Sequence, residues 1–421
     1  GYDYTIGKKR NLRDPLLKDG DVFNRNGYLF NEDLRNYSAL IETYGIYKTK
    51  FKSINSGMEL TFGHSWQETD RENRWEEGNG LEMIGGEYAY TTDIRKDSFL
   101  VQNRLISFFG RANFTVNDKY LLTASVRRDG SSRFGAENKW GLFPAVAFGW
   151  RILEEDFAEG LNNVFTNLKL RISYGVTGNE DIQDFLYTTF YKYGTADASY
   201  QFGDEFVRTL RGDGVDPGIK WEETSSLNFG IDFGFWDNRI SGTVDVYQKN
   251  TNDLLFTVVT SAFTNLSDRI LSNIGEMENK GIELSLNSVI LDRKNLQWDL
   301  GFNASYNQNK ITKLDNNSAE QLANFQGYET GGISGDVGQN IQILKVGQSV
   351  ETFNTYKHIL LEDGKPVPDT YDRDGNGILN LLDMYEDLNE DGLINENDLT
   401  VNQSAAPDFI FGLSTNLQYK N

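Results

Sequence analysis

Apolar and polar residues alternate with period two along most of this chain. The clearest stretch runs from Leu227 to Phe235. Leu227, Phe229, Ile231, Phe233 and Phe235 share one face, and Asn228, Gly230, Asp232 and Gly234 share the other. Trp236-Asp237-Asn238 follows as a tight turn. Ile240, Gly242, Val244 and Val246 then alternate with Ser241, Thr243, Asp245 and Tyr247. Successive side chains of a strand point to opposite sides, so this segment predicts a hairpin with one apolar and one polar face. The same pattern recurs around Leu122 to Val126, Leu168 to Val176, Ile282 to Leu286, Leu296 to Ala304 and Phe409 to Leu413.

Alternation alone fits a soluble sandwich, with one face in a core and one in water, as well as a membrane barrel. Three features favour the barrel. The alternating runs reach about ten to fourteen residues, enough for a tilted membrane crossing. Trp140, Trp150, Trp236, Tyr247, Trp298, Tyr306 and Tyr419 fall near strand ends, as an interfacial girdle would. Links alternate in length: 117–119, 236–238 and 291–295 are short, whereas 129–139, 178–221, 250–279 and 313–407 are mostly longer. That asymmetry is expected of short periplasmic turns opposite long external loops. The link 154–167 is longer than this rule predicts. Residues 1–56 read as an irregular loop region with a short helix near Glu32 to Tyr44. Residues 57–421 read as barrel strands with long external loops.

Composition sharpens this picture. Among 421 residues, 13% are aromatic, with 41 Gly and only 6 Pro, which suits an all-β chain. No apolar run is long enough for a membrane helix, a test that strands escape because only alternate residues meet lipid. The formal charge of −21 argues against any nucleic-acid partner and against docking onto anionic lipid by charge. There is no cysteine, hence no disulfide, thiolate site or cysteine nucleophile. The two His, His64 and His358, leave little scope for His-based chemistry. No catalytic motif is present, so an enzyme is not expected.

The one motif with explicit chemistry is a tandem of acidic loops within 372–398. In the first, Asp372, Asp374, Asn376, Asn380 and Asp383 occupy positions 1, 3, 5, 9 and 12, with Gly377 at position 6 and the Ile378 carbonyl at position 7. In the second, Asp387, Asn389, Asp391, Asn395 and Asp398 repeat this register, with Gly392 and the Leu393 carbonyl. Calcium needs six to eight hard oxygen ligands, and this spacing supplies them on a coiled loop. Position 12 is Asp rather than Glu, so modest affinity is expected. Three residues separate the loops, too few for EF-hand helices. The expectation is Ca2+ in a structural role, stiffening an external segment. A metal-free, solvated turn is the alternative.

Several segments, in order, carry a family resemblance: Arg127-Arg128-Asp129-Gly130-Ser131-Ser132-Arg133-Phe134-Gly135, Trp140-Gly141-Leu142-Phe143-Pro144, Phe148-Gly149-Trp150-Arg151, Tyr174-Gly175-Val176-Thr177-Gly178-Asn179, Trp221-Glu222-Glu223-Thr224, Asn273 to Glu283, the second acidic loop and Pro407 to Gly412. Over residues 57–419 the chain resembles the SusC/RagA-like family of TonB-dependent outer-membrane transporters. The resemblance implies an antiparallel transmembrane β-barrel, part of the roughly 22-stranded barrel of such transporters. It implies import of oligosaccharides or peptides across the outer membrane of a Gram-negative bacterium, energy from TonB, a SusD-like surface lipoprotein over the outer face, and contact with outer-membrane lipid. About a dozen strands are visible and no plug domain is recognisable, so the chain reads as a barrel fragment. The competing functional readings are a soluble extracellular calcium-stabilised β-rich binding protein and a passive porin-like channel.

Overall fold

The computed structural model describes residues 2–13, 27–193, 199–259, 269–314, 327–332, 340–368 and 370–420. Twenty strands follow in chain order: β1 (Tyr2–Arg13), β2 (Tyr28–Phe51), β3 (Ser56–Ile84), β4 (Glu87–Val116), β5 (Tyr120–Ser131), β6 (Trp140–Arg151), β7 (Phe165–Asn179), β8 (Tyr191–Tyr193), β9 (Ser199–Phe202), β10 (Glu205–Arg208), β11 (Leu210–Gly212), β12 (Glu222–Phe235), β13 (Ile240–Val259), β14 (Arg269–Arg293), β15 (Leu296–Leu314), β16 (Tyr328–Gly332), β17 (Asn340–Leu344), β18 (Thr352–Tyr356), β19 (Leu399–Ser404) and β20 (Phe409–Tyr419). Twelve of them form one sheet in the order β1-β2-β3-β4-β5-β6-β7-β12-β13-β14-β15-β20. The others make a four-stranded sheet, β16-β17-β18-β19, and two small hairpins, β9–β10 and β8–β11.

The chain divides into two units. The first comprises residues 1–146, 177–221 and 259–271. Its longest hairpin pairs β3 with β4 from Ser56↔Val116 to Ile84↔Glu87. Gly85 and Gly86 close it with φ of 65° and 92°, the left-handed pair that a tight hairpin turn demands. Asn117 and Asp118 do the same between β4 and β5, at φ 51° and 54°. Both residue types tolerate that conformation because their short polar side chains bond locally.

The second unit comprises residues 147–176, 222–258 and 272–421. Here β12 pairs with β13 from Glu223↔Asn252 to Phe235↔Ile240, around the turn at Trp236, Asp237 and Asn238. β15 lies between β14 and β20, with Leu296↔Tyr419 and Tyr306↔Phe409 at the ends of the latter pairing. The alternation read from the sequence holds. Phe229 stands opposite Val246, Leu284 opposite Ala304, and Phe302 opposite Leu286 and Leu413. These rows form an exposed apolar face, Phe229, Val246, Ile282 and Leu413 among them. The Phe side chains are not enclosed between two sheets.

Four expectations are corrected. Residues 1–56 are not an irregular region: β1 and β2 occupy most of the described part, paired from Tyr2↔Ala39 to Arg13↔Tyr28. Glu32 to Tyr44 is not a helix but part of β2. Strands of about ten to fourteen residues are found in β5, β6, β12 and β20, with 12, 12, 14 and 11, but others run far longer; β3 has 29 and β4 has 30. The supposed link 250–279 is mostly strand, since β13 continues to Val259 and β14 begins at Arg269. In these stretches the period-two alternation fades while the backbone ladder continues, so local pattern does not mark them as strand. The link 154–167 contains a 3-10 turn at Asp156–Asn163. Parts of the segment 313–407, Asn316 included, lie outside the described residues.

Candidate functional site

In the second unit the polar face carries charge where the apolar face carries phenylalanine. Arg171 of β7 meets Asp232 of β12 at 2.8 Å and Asp245 of β13 at 3.0 Å, and Lys169 lies 3.5 Å from Asp232. Gly230 makes room for this cluster: a Cβ there would come within 2.6 Å of both the Arg171 guanidinium and the Asp245 carboxylate. Further along, the Tyr247 hydroxyl donates to Asn307 at 2.9 Å across Gly281, whose missing Cβ lets the phenol pass. A face of paired charges and hydroxyls opposite an exposed apolar face is the arrangement of a barrel wall between water and lipid.

In the first unit, residues far apart in sequence converge on a buried knot. Arg133 donates to the Glu180 carbonyl at 2.8 Å and to Asp184 at 3.3 Å. Arg127 grips Asp129 and the Ser107 hydroxyl. Phe134, 0% exposed, lies 5.1 Å from the Trp221 ring, and Trp221 donates its indole N–H to the Lys139 carbonyl at 3.1 Å. Asn138 donates to the Gly218 carbonyl at 2.8 Å. Burial pushes the Glu180 carboxyl above its ordinary value; Ser131 and Arg133 oppose that shift. The knot unites several motif segments, 127–135, 178–179 and Trp221, and fastens the long link 180–221 at both ends. Glu180 and Asp184 carried no signal in the sequence. Their partner Arg133 lay inside a motif, but its reach across the chain was not legible.

The tandem acidic loops belong to an excursion, 357–398, between β18 and β19. Its ends are adjacent, since Tyr356 pairs with Leu399. Its base is closed by Ile359 N–H to the Met384 carbonyl and Glu386 N–H to the Lys357 carbonyl, each 2.9 Å, and by the His358 ring tilted against Tyr385. Within the excursion twelve acidic residues face three basic ones.

Both loops use the same hydrogen-bond register. The position-1 carboxylates, Asp372 and Asp387, accept from the N–H of Gly377 and Gly392 at 2.9 and 2.8 Å. The position-5 oxygens of Asn376 and Asp391 accept from Ile378 and Leu393 N–H. The position-9 residues Asn380 and Asn395 cap short 3-10 turns by accepting from Leu382 and Asn397. The position-12 carboxylates reach back across each loop. Asp383 accepts from Arg373 and Asn380, and Asp398 from Leu388 and Asn395, all at 2.8 to 3.0 Å. Both are buried, at 2% and 0% exposure. The Asn380 N–H, ahead of the other backbone donors, holds the Asp383 carboxyl below the ordinary range. The Asn389 amide, first among its partners, does so for Asp391.

Carboxylate oxygens of Asp372, Asp374 and Asp383 lie within 4.8 Å of one another, a set suited to a hard divalent cation. Among the described residues Asp387, Asp391 and Asp398 do not gather as closely. The remaining expected oxygens, Asn389, the Leu393 carbonyl, Asn395 and their first-loop counterparts Asn376, Ile378 and Asn380, line the same coils.

A family model described as TonB dependent receptor-like, beta-barrel matches residues 1–377. The TonB-dependent receptor SusC of Bacteroides thetaiotaomicron is 34% identical over 426 residues, covering 100% of this chain and 40% of that protein. A TonB-dependent receptor of Formosa agariphila is 38% identical over 256 residues, covering 61% of this chain and 22% of that protein. The solved structure of the RagAB peptide transporter superposes with a TM-score of 0.76 at 23% identity, covering 100% of this chain and 44% of that one. That likeness is one of fold. The chain spans less than half the length of these relatives.

Proposed function

Because this chain belongs to the TonB dependent receptor-like β-barrel family, we propose that it forms part of the wall of an outer-membrane importer of oligosaccharides or peptides, energised through TonB and working with a SusD-like surface lipoprotein. The family is one of outer-membrane receptors in Gram-negative bacteria, not of enzymes. The observation that carries the reading is the two-faced strand. The row Phe229, Phe233, Leu284 and Phe302 is apolar, while the opposite row holds the Arg171–Asp232–Asp245 cluster. Lipid suits the first row and an aqueous lumen the second. The peptide transport named for RagAB supports the peptide class, and the oligosaccharide class rests on the SusC/RagA-like family resemblance.

The test is deletion of the full-length gene, followed by growth on single oligosaccharides and on peptides as sole nutrient. Loss of growth on one class, restored by the intact gene, is expected. Unimpaired growth on every substrate, with protein extracted free of detergent, overturns the reading.

Calcium is part of the same proposal. Asp372, Asp374 and Asp383, with Asn376, Asn380 and the Ile378 carbonyl, would hold one ion. Asp387, Asn389, Asp391, Asn395, Asp398 and the Leu393 carbonyl would hold a second. The bound ion would offset carboxylate repulsion and lower the entropy cost of ordering the excursion. Calorimetry on the full-length protein should show calcium uptake below millimolar concentration. Absence of uptake at millimolar calcium overturns this part alone.

A further inference from the structure

On one face of the first unit, the side chains change from apolar to charged along three neighbouring strands, at the same rung on β3 and β4 and two rungs earlier on β5. Along β3 the face reads Met58, Leu60, Phe62, His64 and Trp66, then Glu68, Asp70 and Glu72. Along β4 it reads Phe114, Ala112, Gly110, Phe108 and Ile106, then Arg104. Along β5 it reads Leu122, Ala124 and Val126, then Arg128. Trp66↔Ile106 and Glu68↔Arg104 place the changes on β3 and β4 side by side, whereas Phe108↔Arg128 sets the first charge of β5 level with an apolar residue of its neighbour. With a rise of about 3.4 Å per residue and a tilt near 40°, the apolar run of β3 spans roughly 20–25 Å, the height of an outer-membrane hydrocarbon band.

At this border an aromatic row crosses four strands. His64 stacks on Phe108 at 4.8 Å between centroids, Phe108 stacks on Trp140 at 6.4 Å, and the Arg128 guanidinium lies 4.8 Å over the Trp140 ring. Trp140 needs Gly130 beneath it, because a Cβ there would come within 2.8 Å of the indole. Arg128 is exposed. Its neighbour Arg127 is bound to Asp129, and Arg104 to Glu68, whereas Arg128 makes no ion pair among the described residues. In a chain of net charge −21 that is an unusual place to leave a cation. The row also stands directly above an exposed apolar strip of Phe62, Leu122 and Val126.

We propose that Arg128 and Trp140 bind the phosphate-bearing headgroup of an outer-leaflet lipid, with an acyl chain lying on Phe62, Leu122 and Val126. The proposal rests on the membrane-barrel reading. A guanidinium fixed against an indole presents its N–H fork to a phosphate with little further loss of side-chain freedom. The apolar strip adds area that a free anion would not use.

The experiment uses the full-length protein, delipidated in neutral detergent, and bisphosphorylated lipid A as the probe, read by native mass spectrometry and thermal shift. Arg128→Gln should bind it roughly tenfold more weakly, the loss of one charge-assisted contact. Trp140→Leu should weaken it less, and Arg104→Gln should leave it unchanged. The dephosphorylated lipid should bind the native protein as weakly as phosphorylated lipid binds Arg128→Gln. Equal binding by Arg128→Gln overturns the proposal. So does competition by millimolar inorganic phosphate, which would mark a free-anion site. A protein stable in water without detergent would instead overturn the barrel reading.

Discussion

The two acidic loops are built to one plan and differ where the plan leaves freedom. Each threads its backbone N–H groups onto the oxygens at positions 1, 5, 9 and 12, so each has the same shape. They differ at position 4, where the left-handed backbone is taken by Gly375 in the first loop (φ 71°) and by Glu390 in the second (φ 57°). They differ again at positions 3 and 5, Asp374 and Asn376 against Asn389 and Asp391. That exchange brings three carboxylates close together only in the first loop. Shape is set by short-range hydrogen bonds that any Asp or Asn oxygen can accept. Cation affinity depends instead on which of those oxygens carry charge.

The largest effect should follow Asp398→Ala. It leaves the Leu388 and Asn395 N–H groups without their part-buried acceptor, at about 1 kcal/mol each. Amide exchange in 387–398 should quicken while the strands keep their protection; unchanged exchange would mean the carboxylate does not hold the loop.

The charge-neutral exchange Asn389→Asp with Asp391→Asn gives the second loop the first loop's pattern. It should raise the second loop's calcium affinity about tenfold in calorimetry. If affinity does not move, carboxylate placement is not what separates the loops.

A smaller effect belongs to Glu390→Gly, which relieves a left-handed non-glycine residue and should stabilise the second loop by about 0.5–1 kcal/mol. The matching Gly375→Glu should cost the first loop as much.

Acid offers a check on the shared frame. Asp383 and Asp391 have folded values below the ordinary 3.8. Their stabilisation is therefore present above that value and is lost as the pH falls through the lower folded values. Excursion order, followed by limited proteolysis, should survive at pH 5 and fail only below about pH 3.8. Loss near neutrality would point to other groups.

Sequence alone determined the strands that cross the apolar band, their two faces, the tight turns and the register of the acidic loops. All of these are written in residues close together in the chain: period-two alternation, Asn-Asp turns, and Asx oxygens two to five positions from the N–H they accept. Tertiary structure decided the rest. Residues 28–39 of β2 show no alternation of apolar and polar side chains. Only pairing with β1 and β3 makes them strand. Arg133 finds Glu180 and Asp184 because β5 and β7, with β6 between them, end at the same edge of the sheet, over separations that no local pattern encodes. The excursion 357–398 is a closed module because Tyr356 and Leu399 are ladder partners. Arg128 lies against Trp140 because Gly130 leaves space for the indole. Short-range hydrogen bonds and side-chain alternation can be read along a chain; which distant backbones share a ladder is settled only when the sheet forms.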